Sequence, residues 1–353
     1  MEIDYLIIGQ GLAGSLLAWE LLQRKKKVII VDNEKENASQ IAAGLINPVT
    51  GMRLVKSSDV DRLLPAATNY YKQLSCYFQQ TFYFEKPMLR ILRNNKEVVA
   101  SQKRLQQPEY HNYLTEIIPT DTLLNAPFGL IKQNNTGYLL TKPLLASLKN
   151  HFIATHAYIN AEIKYHEINF TPTLHWKGFR PKQIIFCEGY HASNNPWFSW
   201  LPFQLVKGEI ITATASQQIS NNILNYGHWF IPLNSHQFRT GATFDRENLN
   251  TNITLNAKQT LLNSLNQFYP GLSIDQTPVQ HAGIRPTTLD KHPFIGRHPK
   301  HPELFIFNGF GAKGSLQIPW YCQCFADNLL NNLPIPHCSD ILRYTHMISP
   351  SNR

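Results

Sequence analysis

The chain has 353 residues, 43% of them hydrophobic and 16% charged, which is enough apolar mass for a sizeable core and excludes a disordered or fibrous chain. Its 33 Lys and Arg against 24 Asp and Glu give a net charge of +9, which admits an anionic partner without specifying one. The cations are scattered apart from Arg24 to Lys27 and a looser group at Lys177, Arg180 and Lys182.

The five cysteines are odd in number and form no CxxC, so neither a disulfide framework nor a zinc site is expected. They read as reduced, mostly buried thiols of a cytoplasmic protein. The first apolar run begins at residue 3 with no basic segment ahead of it, so no secretory leader is expected. No run approaches the roughly 20 apolar residues that a membrane span requires.

Residues 3–8 are a short apolar run of the kind that becomes a buried parallel strand. After the Gly-rich break at 9–14, residues 15–25 place Leu16, Leu17, Trp19, Leu21 and Leu22 at helical spacing. Lys25, Lys26 and Lys27 are expected to close that helix at the negative end of its dipole. Residues 28–31 are a second strand ending at Asp32, which completes β-α-β. Residues 38–56 read as loop, and a helix is expected over 59–80, bent at Pro65. Residues 81–135 read as short strands and polar loops, and a helix is expected over 141–150. The buried strand 183–187 runs into Glu188 and Gly189, and 203–244 has the punctuated pattern of antiparallel β structure. A helix is expected over 255–268, then a strand at 304–307, a Gly-rich turn at 309–314, and a helix to about residue 331.

Gly9-Gln10-Gly11-Leu12-Ala13-Gly14 is a G-x-G-x-x-G between a strand and a helix, and Asp32 follows Gly11 by 21 residues at the end of the next strand. Gly9 permits the tight turn, Gly11 lets a pyrophosphate approach the backbone, and Gly14 lets the helix pack close to the strand. The helix N-terminus then offers unpaired N–H groups and partial positive charge to phosphates. An acid at position 32 accepts from the adenosine ribose hydroxyls and favours FAD or NAD over NADP. The β-α-β unit alone leaves FAD and NAD open.

Three later segments bear on that choice. They are the small-residue stretch 38–48 with Ala42, Ala43 and Gly44, the stretch 281–296 with Gly283-Ile284-Arg285-Pro286-Thr287, and Phe307-Asn308-Gly309-Phe310-Gly311-Ala312-Lys313-Gly314. With the N-terminal motif, they make the chain resemble the D-amino-acid oxidase/glycine oxidase family of flavoproteins, most specifically at its two ends. The resemblance implies FAD, held non-covalently, since the C-terminal Gly loop lacks the cysteine that tethers flavin in the sarcosine oxidases. Small residues at 42–44 would let backbone lie against the isoalloxazine ring. The turn at 311–316 would stabilise negative charge on the reduced flavin.

The resemblance also places Arg285 where the family holds a substrate carboxylate, a task its planar fork suits. An Arg285 stacked on the flavin or paired with a structural acid such as Asp290 is the competing reading. Lys313 is the second candidate catalytic residue. Gly189 joins Gly9, Gly11, Leu12, Ala13, Gly14, Asp32, Ala42, Ala43, Gly44, Gly309, Gly311, Ala312, Lys313 and Gly314 as candidate cofactor contacts, and no metal ligand is expected. His228 and His281 are lesser candidates to line the cavity, and Tyr226, Trp229 and Phe310 to wall the substrate pocket or fill the core.

The expected fold is α/β, α+β overall, with a Rossmann-like FAD-binding domain and a mainly antiparallel β substrate domain. Because motifs for one cofactor lie at both chain ends, the FAD domain is expected to be discontinuous, over 1–75, 141–195 and 279–353, with the substrate domain from 76–140 and 196–278. The expected activity is oxidation of a small amine or amino acid by hydride transfer to flavin, which needs no strong protein base when the amine is already neutral. A tRNA-modifying oxidase acting on a carboxymethyl group of a modified uridine is the alternative, and a flavin-binding protein without turnover is the third reading.

Overall fold

The computed structural model describes residues 1–119 and 123–348. The chain divides into two compact units: residues 1–40, 141–206 and 284–353, and residues 41–140 and 207–283.

The first unit is built on a six-stranded sheet. Its strands are β1 (Glu2–Ile8), β2 (Val28–Asp32), β3 (Tyr158–Asn160), β4 (Arg180–Phe186), β5 (Phe294–Arg297) and β6 (Leu304–Asn308), in the order β3-β2-β1-β4-β6-β5. Every neighbouring pair is parallel except β5 with β6. Parallel strands covered on both faces need apolar side chains in both directions, and Leu6, Ile7, Ile30, Val31, Ile184, Ile185 and Ile306 are all fully buried.

Helix α1 (Leu12–Gln23) packs against α2 (Thr141–Ala154) and α3 (Gly314–Asn331) on one face, where Phe307 stacks on Phe325 at 5.4 Å. The other face carries Trp176, Phe186, Phe198, Phe294 and Ile306. Helix α1 ends at Gln23, two residues short of expectation. Arg24 caps it and Lys25 turns the chain with φ 59°, so the three lysines lie beyond the helix rather than in its last turn.

The second unit centres on an eight-stranded sheet running Val279–Thr288, Phe203–Thr214, Gln237–Gly241, Trp229–Pro232, Ile223–Asn225, Met88–Ile91, Leu130–Gln133 and Leu114–Ile118. Alternation along the strands sorts side chains to two faces. Phe230 and Phe238 stack at 4.6 Å and meet Leu261, Leu265 and Phe268 of the helix Leu255–Phe268. On the opposite face, Ile231 joins Met88, Tyr138 and Ile223, with Ala43, Leu45 and Trp229 packed against them.

Several expectations differ from the structure. Residues 41–75 belong to the second unit, because Leu45–Ile46 pairs with Gly137–Leu139 and the helix Val60–Phe78 packs on Tyr83–Glu85. Residues 196–206 belong with the first, where Phe198 and Leu201 enter the core and Trp197 and Phe203 pack against it. The last boundary falls at 283/284, inside the strand Val279–Thr288, rather than at 279. The stretch 38–48 holds a short helix, Ala38–Ile41, and the strand Leu45–Ile46 where plain loop is expected. The helix Asn95–Leu105, capped by the Asn94 side chain on the Glu97 N–H, falls where strands and loops are expected. Cys187 and Cys322 are buried, but Cys76 is exposed on its helix and Cys324 and Cys338 are half-buried.

Candidate functional site

In the first unit, the candidate residues gather at the carboxyl ends of β1, β2, β4 and β6, the edge where open α/β sheets bind ligands. Gly9 leaves β1 with φ 104°, and a Cβ there would come within 2.5 Å of the Cys187 carbonyl oxygen at the end of β4. A Cβ on Gly14 would overlap the Gly9 carbonyl oxygen, so α1 reaches this proximity to β1 only with glycine at that position.

At the start of α1 the Leu12 N–H donates to Ser39 Oγ at 3.0 Å. The N–H groups of Ala13 and Gly14 meet no acceptor among the described residues. Gly11, Leu12, Ala13 and Gly14 thus form a helix N-terminus with unspent donors, suited to an anion. Asp32 accepts from the Gln10 N–H and the Glu34 N–H, each at 2.7 Å, one on each carboxylate oxygen. Each oxygen keeps a further lone pair for a hydroxyl donor.

Glu188 follows β4. Its carboxylate accepts from Tyr165 Oη at 2.9 Å and Asn195 Nδ2 at 2.8 Å, yet burial dominates and pushes its pKa up to about 7. The Gly189 carbonyl accepts from Asn308 Nδ2 at 2.9 Å, which ties the ends of β4 and β6 together. Beyond β6, Gly309 opens the turn with φ 82°, Gly311, Ala312 and Lys313 form one 3-10 turn, and Gly314 starts α3. Lys313 is half-buried, and burial with the charge of Lys291 lowers its pKa.

Arg285 is half-buried on Val279–Thr288, and burial lowers its pKa. Asp290 is held by Arg343, whose Nε lies 2.8 Å from Oδ2 and whose guanidinium also donates to the His292, Pro293 and Asp340 carbonyls. The acid proposed as a structural partner of Arg285 is therefore committed to another arginine.

In the second unit, Ala42, Ala43 and Gly44 lie beside the face of the large sheet that carries Ile231. The Ala42 carbonyl accepts from Arg239 at 3.2 Å, and the Gly44 carbonyl accepts from the Leu139 N–H at 2.9 Å. Trp229 packs on this face, whereas Tyr226 stacks on Phe268 on the other, its hydroxyl 2.7 Å from Thr240 Oγ1. Phe310 is buried against Phe307 at 4.9 Å, so Tyr226 and Phe310 fill cores. His228 Nδ1 lies 3.2 Å from the Ala242 carbonyl oxygen, and burial lowers its pKa. His281 is half-buried at the start of its strand.

The family described as FAD dependent oxidoreductase (DAO) matches residues 4–328. The chain belongs to this family. The glycine oxidase of Pseudomonas putida is 23% identical over 95% of this chain and 96% of its own. The bifunctional tRNA 5-methylaminomethyl-2-thiouridine biosynthesis protein of Vibrio vulnificus is 22% identical over 96% of this chain, which spans 58% of that relative. Among solved structures, glycine oxidase from Geobacillus kaustophilus matches 97% of this chain and 98% of its own with TM-score 0.81 and 18% identity, which shows a shared fold.

The chain is thus a member of the FAD-dependent oxidoreductases. The residues at the end of its parallel sheet fit the ADP half of that cofactor: glycines whose Cβ atoms would overlap backbone, unspent N–H donors, and a carboxylate with acceptor capacity. Sequence reasoning missed Ser39, which fixes the loop over the helix start, and Glu188, Arg239 and Arg343. Their partners lie on separate segments, and no local motif points to them. Among the described residues no helix is long and apolar enough to cross a membrane.

Proposed function

We propose that this chain oxidises the C–N bond of a small amino acid or secondary amine, with Arg285 clamping the substrate carboxylate. The observation that carries the reading is the half-buried Arg285 on Val279–Thr288, in a chain that the FAD dependent oxidoreductase family matches over residues 4–328. A guanidinium so placed binds a planar carboxylate through two parallel N–H donors and fixes the amine in one orientation. FAD supplies a two-electron hydride acceptor. The protein's part is then to orient the substrate and exclude water, and an amine that arrives neutral needs no protein base. Gly9, Gly11, Leu12, Ala13, Gly14, Asp32 and Gly189 would hold the ADP half. Ala42, Ala43, Gly44, Gly309, Gly311, Ala312, Lys313 and Gly314 would face the flavin, with Lys313 favouring its anionic reduced form.

A second reading is supported by the tRNA-modifying relatives, which this chain matches over nearly its whole length. Here the group oxidised is a carboxymethylamine on a uridine, so the same C–N chemistry and the same arginine apply. The test is the visible spectrum of the FAD-loaded protein under anaerobic addition of glycine, sarcosine, D-alanine, D-proline and a carboxymethylaminomethyl nucleoside. Bleaching by an amino acid, with KM raised at least tenfold by Arg285→Ala, supports the first reading. Bleaching by the nucleoside alone supports the second. No bleaching by any of them, or bleaching indifferent to Arg285→Ala, overturns the assignment of Arg285.

A further inference from the structure

In the first unit, the loop between the strand Val279–Thr288 and β5 is held by a residue from much later in the chain. Arg343 lies in the 3-10 segment Ile341–Met347, 53 positions beyond Asp290. Its Nε donates to Asp290 Oδ2 at 2.8 Å, and one terminal nitrogen donates to the His292 and Pro293 carbonyls at 3.2 and 3.0 Å. The other terminal nitrogen donates to the Asp340 carbonyl at 2.8 Å. The guanidinium lies 5.2 Å from the centre of the Phe294 ring and 4.8 Å from that of Tyr344. The segment that carries Arg343 is itself anchored. The Ile295 N–H donates to the Ser339 carbonyl at 2.9 Å, and Ser339 Oγ donates to Tyr321 Oη of α3 at 2.8 Å.

The clamped loop supports its neighbours. Thr288 Oγ1 donates to the His292 carbonyl at 2.8 Å, which ties the strand end to the loop. Thr287 and Thr288 form the floor of the turn after β6. A Cβ on Gly309 would lie 2.7 Å from Thr288 Cγ2, and one on Gly311 would lie 2.8 Å from Thr287 Cγ2. Arg285 stands two residues before Thr287 on the same strand. One short stretch of backbone thus carries the arginine and bears the turn. With the Asp290 side chain 31% exposed, its ion pair with Arg343 adds little to stability. What the pair fixes is geometry. A planar fork that meets a carboxylate and two carbonyls, while packed against two rings, admits one course of the loop.

We propose that Arg343 is a positioning residue. Acting through the loop 289–293, it sets the spacing between the Arg285 fork and the turn 309–313. This rests on the proposed function, in which Arg285 holds the substrate carboxylate and the turn faces the flavin. The spacing then decides how well a bound amine is aligned for oxidation, and small errors in such alignment are costly in rate.

The test compares wild type with Arg343→Met, Arg343→Lys and Asp290→Asn. The apoprotein is titrated with FAD by quenching of flavin fluorescence, and the FAD-saturated protein is reduced anaerobically by the amine that bleaches the wild type. We expect Arg343→Met to raise the Kd for FAD about tenfold and to slow the limiting rate of reduction about tenfold, with substrate affinity held by the untouched Arg285. Arg343→Lys should recover little, because an ammonium cannot reproduce the fork. A merely structural role would lower the urea midpoint and move neither quantity. A folded Arg343→Met with the wild-type Kd for FAD overturns the proposal, as does an unaltered limiting rate at saturating FAD. If Arg343→Met does not accumulate, the same two readouts on Asp290→Asn decide, since it loses one partner of the clamp and keeps the three carbonyls. If no amine reduces the wild-type flavin, the proposed function fails on its own, and the Kd for FAD alone decides the role of Arg343.

Discussion

Glu188→Gln should reshape the pH dependence of stability. Burial holds the Glu188 carboxyl near pKa 7 against an ordinary 4.5, despite hydrogen bonds from Tyr165 and Asn195 that favour the charged form. Between those two values the folded chain keeps a proton that the unfolded chain has released. Stability contributed by this group is therefore fully present at low pH and is lost as pH rises toward 7. At about 1.4 kcal/mol per pKa unit the loss totals roughly 3 kcal/mol. Gln has no proton to lose, so the variant lacks this slope. Its amide keeps both contacts, with the oxygen accepting from Asn195 Nδ2 and the NH2 donating to Tyr165 Oη. The assay is urea unfolding of both proteins under saturating FAD from about pH 5 to about pH 8. The variant should gain roughly 2 to 3 kcal/mol on the wild type across that range. A difference that stays flat would show the carboxylate ionised and hydrated in the folded protein, and would refute the assignment of burial as the dominant cause.

Gly14→Ala drives a methyl into the Gly9 carbonyl and pushes α1 away from β1, so the purified variant should lose the flavin absorbance or fail to accumulate. A yellow variant with wild-type FAD affinity would contradict the close-approach argument. Lys207→Met should destabilise by about 3 to 5 kcal/mol, because it strips the buried Glu209 of its cation. Lys207 also holds Asn250 Oδ1 at 3.1 Å and the Asn252 carbonyl, while Glu209 accepts from Thr254 and Gln280. Adding Glu209→Gln to Lys207→Met should recover part of the loss, and a double variant as weak as the sum of the two singles would count against the pair.

What could be read from the sequence follows the range of the interactions involved. The β-α-β unit was legible because each determinant lies within one turn or one strand of its partner: an apolar run, three glycines at fixed spacing, an acid at the strand end. Arg239 and the Ala42 carbonyl are 197 positions apart, and Arg343 and Asp290 are 53 apart. No periodicity links such pairs, and each arginine alone looks like any other cation in a basic chain. The misassigned stretch 41–75 fails for the same reason. It follows the dinucleotide motif along the chain, so proximity in sequence places it with the cofactor domain. In space, Leu45 pairs with Tyr138, and the unit it joins is set by that ladder. The strand Gln237–Gly241 marks where local reasoning has purchase without global structure. Its alternation assigns position 239 to the face of Gln237 and Gly241, where a charged residue reads as an ordinary solvent-facing one. Only the fold shows that the face is packed, that Nε meets no acceptor among the described residues, and that a carbonyl orients the fork.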